Sequence, residues 1–373
     1  MPREHSKEDT MTPSTLSAVP APDTKGTFSH PGRAVRHSYP LAIPNAGFGT
    51  AVSLVLKTLP YAGVRFGILL AGSLATLIWY AATFGGMGFL MLRVSPLLGY
   101  AWLVAGVGIY GYVWWTLGRY FLYLLKAGHI AVLTELVTRG QIGDRGEGMF
   151  AYGRRIVTER FGQANAMFAL DLLVHGVVRA FNRGLDWIGG LLPIPGLQSV
   201  VGIINAVVYS ATTYIDETIF SYSLARGDED PYRSSRDGLI YYAQNSRSVL
   251  KRAIWIVVLD KVASVAVWIV MLTPAFVLTA LLPEAWVGVG GLGAFAIAAL
   301  LAWNVRAAFL EPLFLTMILL EFHVCVRDQP IDLAWDERLS RASRKFVELK
   351  DRITGQETSA GVPGASRVAG LGS

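Results

Sequence analysis

Charged residues and cysteine are both scarce in this chain. Only 16% of its 373 residues are charged, against about 25% in an average soluble domain. The single cysteine, Cys325, excludes a disulfide within the chain and any metal cluster held by several thiolates. The first thirty residues hold no apolar stretch of the kind found in signal peptides, so we expect the first membrane helix to direct insertion.

The common catalytic and cofactor motifs are also missing. HExxH, CxxC and a phosphate-binding loop do not occur in the sequence. GVGGLG at residues 288–293 has the GxGxxG spelling, but no strand precedes it and the run around it is apolar. Small residues in such a run favour close packing of helices rather than nucleotide binding. We therefore expect no enzyme activity, no cofactor and no metal site.

Four long apolar runs are the main feature of the sequence. They occupy residues 66–92, 97–117, 253–282 and 286–303, in a chain that is 53% hydrophobic. A helix of about 20 apolar residues crosses the hydrocarbon core of a bilayer, so each run is long enough to do so. The remaining polar sequence is too short to cover a soluble core of this size. The sequence predicts an all-α, polytopic integral membrane protein.

Two further segments leave the number of crossings open. Residues 200–224 are largely apolar, but one extra crossing there would place the basic segment 226–252 outside. Residues 161–187, whose polar side chains recur at helical spacing, could supply a partner crossing. Prolines in the linker 191–196 would separate the two helices. We favour six crossings, and the alternative is four crossings with amphipathic helices on the cytoplasmic face.

The distribution of basic residues predicts the orientation. Lysine and arginine concentrate outside the two hairpins, whose turns at 93–96 and 283–285 are short. Basic segments stay on the cytoplasmic side, so both termini are expected inside the cell and the protein in the cell membrane. The expected organisation is a disordered tail at 1–60, a membrane domain at 61–326, a helical cytoplasmic tail at 327–354 and a disordered tail at 355–373.

Ionisable residues in or beside the apolar runs are the candidate functional groups. A charge inside a bilayer is costly, so it usually faces protein, water or a ligand. The candidates for a substrate or ion pathway are Asp216, Glu217, Asp260, Lys261, Glu311 and Glu321. Asp260 and Lys261 could instead anchor one helix to another. Glu321, His323 and Cys325 alternate by two residues, which scatters them around a helix axis and disfavours a metal site.

A second set of candidates recurs every four residues. Asp171, His175 and Arg179 would share one face of a helix. Histidine titrates near neutral pH, so this face could relay protons. The other interpretation is the wet face of an amphipathic helix, and the sequence leaves both open.

Three segments resemble the choline transporter-like family of membrane proteins. They are residues 235–262, which end in VLDKV; residues 308–322, AFLEPLFLTMILLEF; and residues 119–136, RYFLYLLKAGHIAVLTEL. The resemblance implies a helical transporter for a small cationic or polar solute. This chain is much shorter than family members and lacks the large cysteine-rich outer loop of the animal ones. Selectivity for choline is not implied.

Two functions follow as hypotheses. The first is a transporter-like multi-pass protein for a small polar or cationic solute, with the lipid bilayer as a partner and a homo-oligomer left open. The alternative is a non-transporting scaffold that binds lipid or protein through the amphipathic stretch 130–183. Nucleic acid is not an expected partner, because no basic domain with interleaved aromatic residues stands outside the membrane runs.

Overall fold

The regular structure of the protein is helical. The computed structural model describes residues 39–143, 146–161, 164–183, 201–227, 230–327 and 329–360, and within these ranges there is no strand. The helices are α1 (Phe48–Lys57), α2 (Leu59–Arg93), α3 (Pro96–Val113), α4 (Arg119–Arg139), α5 (Met149–Phe161), α6 (Ala164–Arg183), α7 (Val201–Arg226), α8 (Pro231–Gln244), α9 (Ser246–Ala280), α10 (Glu284–Val305), α11 (Glu311–Val326), α12 (Ala334–Ala342) and α13 (Arg344–Ala360).

Four helical stretches are long and apolar enough to cross a membrane. They are residues 59–93, 96–139, 246–280 and 290–326, and they overlap the four apolar runs of the sequence. Short π-helical turns at Trp114–Gly118 and Arg306–Leu310 join α3 to α4 and α10 to α11, so both helices continue without a break. The prediction of an all-α protein with four such runs is confirmed.

The helices α6 and α7 correspond to the two segments whose crossing was left open. Neither belongs to the four candidate spans found in the described part of the chain. From Tyr214 to Ser223 α7 is buried except for Phe220, and it packs against α4, α6, α8, α9 and α11. The count of six crossings stays a prediction that the structure does not confirm.

The outer parts of the candidate spans form two exposed hairpins. α2 packs along α3, and α9 packs along α10. Large apolar side chains on both hairpins are exposed, among them Ile78 at 71%, Leu92 at 85%, Leu97 at 77% and Leu281 at 77%. Side chains of this kind on a water-soluble protein would form a very large apolar patch, so these surfaces need a non-aqueous environment or a partner.

The inner parts of the same helices enter a packed helical core. This core, which we call the inner domain, contains α1, α5 to α8, α12 and α13 together with the inner ends of α4, α9 and α11. Its largest fully buried side chains include Tyr222, Tyr241, Tyr242, Phe314, Phe322 and Phe346. The inner domain therefore has a hydrophobic core of its own, separate from the exposed hairpins.

Part of each predicted disordered tail is helical. The prediction is wrong for residues 48–57, which form α1, because Ala51, Leu54 and Val55 are buried and the helix packs against α11. It is also wrong for residues 355–360, where α13 continues to Ala360. Residues 1–38 and 361–373 lie outside the described ranges.

A chain of buried hydrogen bonds ties the segment before α1 to the inner domain. The Tyr39 hydroxyl lies 2.7 Å from Nδ1 of His323, and Nε2 of His323 lies 2.9 Å from the Ser221 hydroxyl. The Ser221 hydroxyl in turn lies 2.6 Å from the hydroxyl of Thr134. Because both ring nitrogens of His323 are engaged with hydroxyl groups, this histidine has a structural role.

The helices α4 and α5 cross at two glycines. A Cβ added at Gly153 would lie 2.7 Å from the backbone oxygen of Gly128, closer than carbon and oxygen atoms approach. The crossing therefore depends on the missing side chain at Gly153.

We predict that Gly153→Ala lowers the free energy of unfolding by about 1 to 3 kcal/mol, because the added methyl group overpacks the crossing. The sign is informative, since alanine in a helix interior otherwise stabilises by up to about 1 kcal/mol over glycine. Gly49→Ala in α1 is the control, because its Cβ meets no atom within 4 Å. Thermal unfolding in detergent, followed by circular dichroism, makes the comparison. Equal or higher stability of Gly153→Ala would contradict this packing.

Candidate functional site

A cavity of about 290 Å³ lies between α4, α6 and α7. Its charged and imidazole side chains are Lys126 from α4, Asp171 and His175 from α6, and Asp216 and Glu217 from α7. Three carboxyl groups thus face one lysine and one histidine. The cavity has an excess of acidic groups whether or not the histidine is protonated.

The cavity joins the two candidate sets that the sequence left separate. Asp171 and His175 lie one turn apart on α6, and Nδ1 of His175 contacts the carboxylate of Asp216 on α7. The Arg179 guanidinium donates to Nε2 of the same ring. His175 therefore connects the polar face of α6 to the acidic pair on α7, across 41 residues of sequence.

Four charged side chains link the cavity to both hairpins. Lys126 contacts the carboxylate of Glu217, and its Nζ lies 3.3 Å from Oε1 of Glu311. The other carboxylate oxygen of Glu311 accepts a hydrogen bond of 2.7 Å from Arg65 on α2. We call Arg65, Lys126, Glu217 and Glu311 the ionic cluster. When Glu217 is ionised, two positive and two negative charges balance within it, as buried ions require.

Burial changes the ionisation of the acids on α6 and α7. It raises the pKa of Asp216 and of Glu217 to about 7 and raises the pKa of Asp171. The hydrogen bond to Asp216 raises the pKa of His175. Asp216 and Glu217 therefore titrate near neutral pH, which is unusual for carboxyl groups.

Two buried oxygen atoms at the cavity lack a donor. Oδ1 of Asp216 and Oε2 of Glu217 accept no hydrogen bond within the described part of the chain. Leaving a buried acceptor without a donor costs free energy. A ligand that carries positive charge or hydrogen-bond donors would supply what these two atoms lack.

Asp260 and Lys261 lie away from this cavity. Asp260 is buried and accepts a hydrogen bond of 2.8 Å from Arg306, which also donates to the Ser264 hydroxyl at 2.8 Å. Lys261 is half exposed, and its Nζ lies 3.8 Å from the Asp260 carboxylate. This geometry corresponds to an anchor between α9 and the junction of α10 with α11, which was the alternative interpretation of the pair.

The remaining candidates divide between the two regions. Glu311 belongs to the ionic cluster beside the cavity, whereas Glu321 pairs with Arg252 in a different groove. Lys126 and Arg65 were not among the candidates, because they were considered only as markers of orientation. The signal in the sequence was their position: each is a single charge within an apolar stretch of helix.

Comparison with protein family models, with curated proteins and with solved structures found no match to this chain.

The lining of the cavity fits a small organic cation. Carboxyl groups from α6 and α7 provide negative charge, and Tyr123 and Phe220 also line the cavity. Aromatic rings attract cations through their faces. In the described residues no group of three or more His, Cys, Asp and Glu side chains is arranged to hold a metal ion. The volume is close to the lower end of the range for ligand sites.

We predict that Lys126→Met destabilises the protein by about 3 to 5 kcal/mol, because it leaves buried carboxylates of Glu217 and Glu311 without their shared cation. Adding Glu217→Gln should recover part of this loss, since Glu311 keeps Arg65 as a partner. The measurement is chemical unfolding in detergent.

The control for this prediction is Lys345→Met. Its ion pair with Glu348 is half exposed, so we expect a loss of no more than about 1 kcal/mol. If both lysine variants lost the same stability, the ionic cluster would not have the structural role assigned to it.

Proposed function

We propose that the protein is a multi-pass membrane protein with a transporter-like role, and that it binds a small cationic solute in the cavity between α4, α6 and α7. The observation that carries this proposal is the pair of buried carboxylate oxygens, on Asp216 and Glu217, that have no donor. The resemblance to the choline transporter-like family agrees with a cationic solute.

The proposed topology has four crossings, with both termini in the cytoplasm of a cell membrane protein. Charged residues are missing from 66–92, 97–118, 262–283 and 285–305, each about long enough to cross the hydrocarbon core. The buried environment of α7 favours the four-crossing alternative, because lipid-facing helices expose their apolar side chains. α6 and α7 then belong to the cytoplasmic side.

In this topology the solute reaches the cavity from the cytoplasm. The ionic cluster lies just beyond the inner ends of the apolar runs and shares Lys126 and Glu217 with the cavity. A cation that pairs with Glu217 competes with Lys126 for the same carboxylate. Because Lys126 also binds Glu311 at the base of the second hairpin, occupancy of the cavity changes the charge balance that holds the hairpins in place.

A complete pathway across the bilayer would need more than one copy of the chain. Polar contact between the two hairpins is made near their inner ends, where Ser73 and Asn304 share hydrogen bonds of 3.0 and 3.2 Å. Further out, most apolar side chains are exposed. A homo-oligomer would cover these faces and enclose a path between hairpins of neighbouring copies.

The acids of the cavity make solute binding depend on pH. A carboxyl group with a pKa of about 7 is mostly protonated at pH 6 and mostly ionised at pH 8. The negative charge that attracts a cation is therefore lost as the pH falls through about 7. Protons and the cationic solute compete for the same oxygens.

We predict that proteoliposomes containing the protein accumulate radiolabelled choline about tenfold more at pH 8 than at pH 6. The ionised fraction of one group with a pKa near 7 changes by about this factor. Asp216→Asn with Glu217→Gln should abolish the uptake and its pH dependence.

Glu337→Gln is the control variant, because Glu337 lies on α12 with its side chain 81% exposed and should leave uptake unchanged. Empty vesicles set the background. Equal accumulation in empty vesicles, wild type and the double variant would eliminate choline as a transported solute.

A membrane scaffold is the second candidate function. Phe150 at 41% and Leu172 at 52% are exposed on α5 and α6, and α5 also carries exposed Arg154 and Arg155. Amphipathic helices of this composition bind lipid headgroups or partner proteins. A scaffold would give no choline uptake at either pH, whereas uptake that rises with pH would favour the transporter.

A further inference from the structure

A second, larger cavity of about 550 Å³ lies between the start of α1, α9 and α11. Its walls include Phe48 from α1, Lys251, Arg252 and Trp255 from α9, and Glu321 from α11. It shares no lining residue with the acidic cavity. We call it the α9 groove.

The α9 groove differs from the acidic cavity in the sign of the charge on its lining residues. Arg252 contacts the carboxylate of Glu321, whereas Lys251 makes no ion pair in the described part of the chain. Both basic side chains belong to exposed residues, and Arg247 is exposed one turn before Lys251. The lining therefore carries a net positive charge beside the apolar side chains of Phe48 and Met317.

Residues on one face of α9 follow the order of layers in a bilayer. Arg252, Trp255, Leu259 and Val262 are spaced by three or four residues, so they lie along one side of the helix. Trp255 is 56% exposed, Leu259 45% and Val262 63%. A basic residue, then tryptophan, then aliphatic side chains match headgroups, the interface and acyl chains in turn.

The position of the groove along the membrane normal agrees with this order of headgroup, interface and acyl-chain residues. From Trp255 to Leu281 α9 extends about 40 Å at 1.5 Å per residue, and its exposed side chains over this length are apolar apart from that of Lys261, which is half exposed, and that of one threonine. A bilayer with its headgroup regions is about 40 to 45 Å thick. With Leu281 at the outer surface, Trp255 lies at the inner interface, and Lys251 and Arg252 lie one turn further, at the level of the cytoplasmic headgroups.

We propose that the α9 groove binds the headgroup of an anionic phospholipid from the cytoplasmic leaflet. Its phosphate pairs with Lys251 and Arg252, Trp255 lies at the level of the glycerol, and the apolar wall at Phe48 and Met317 contacts the first carbons of an acyl chain. This assignment rests on the membrane insertion and orientation proposed above, and it does not depend on what the acidic cavity binds.

The test compares lipids that stay bound to the full chain in detergent, counted by native mass spectrometry. Phosphatidylglycerol should be retained in preference to phosphatidylcholine. Lys251→Gln with Arg252→Gln should weaken phosphatidylglycerol binding about 25-fold, since one basic residue near an anionic lipid contributes a factor of about five. Arg341→Gln with Arg344→Gln removes two exposed charges from α12 and α13 and should change nothing.

A third variant should act in the opposite direction. Glu321→Gln removes the carboxylate that competes for Arg252, so it should strengthen phosphatidylglycerol binding severalfold. Excess inorganic phosphate should not displace the lipid, because free phosphate has no acyl chain to contact the apolar wall at Phe48 and Met317.

Equal retention of the two lipids, displacement of phosphatidylglycerol by inorganic phosphate, or equal losses in the two double variants would each overturn the proposal. Circular dichroism of each variant checks that it is folded. Whether the chain needs detergent to stay dispersed is measured separately. If the chain needs detergent but binds the two lipids equally, the lipid site in the α9 groove is refuted. The proposed membrane insertion is then not contradicted.

Discussion

The ionic cluster of Arg65, Lys126, Glu217 and Glu311 connects the first hairpin to the inner domain and to the helix that continues the second hairpin. Its members come from α2, α4, α7 and α11, and α11 continues α10. Buried charges are tolerated only when they are paired, and here each ion has a partner of opposite sign. The acidic cavity lies against this cluster, which places its chemistry where the hairpins are held together.

The same helices serve two environments along their length. α9 begins among the buried side chains of the inner domain and ends with large exposed apolar residues. The span from Gly290 to Val326 changes in the opposite order, because α11 is buried where α10 is exposed. Both helical stretches join the inner domain to the second hairpin without an intervening loop.

Much of the fold could be predicted from the sequence, and the failures have physical causes. The four apolar runs were identified because the length of a run and its lack of charged residues can be read from a local stretch of sequence. α7 could not be assigned, since an apolar helix buried in protein and one buried in lipid have the same periodicity. The helix α1 was not predicted, because glycines occur at its start and its stability comes from tertiary packing. The acids on α6 and α7 were singled out separately, but their meeting at His175 depends on long-range packing, and Lys126 was missed.

The most direct test of the topology is cysteine labelling in intact cells with a membrane-impermeant maleimide, in a Cys325→Ser background. Single cysteines at Val94 and Leu281 probe the hairpin turns, Ser199 probes the segment between α6 and α7, and Arg341 probes α12. We expect labelling at Val94 and Leu281 in intact cells, and at Ser199 and Arg341 only after the membrane is permeabilised. Labelling of Ser199 in intact cells would contradict it, because α6 and α7 would then cross the bilayer.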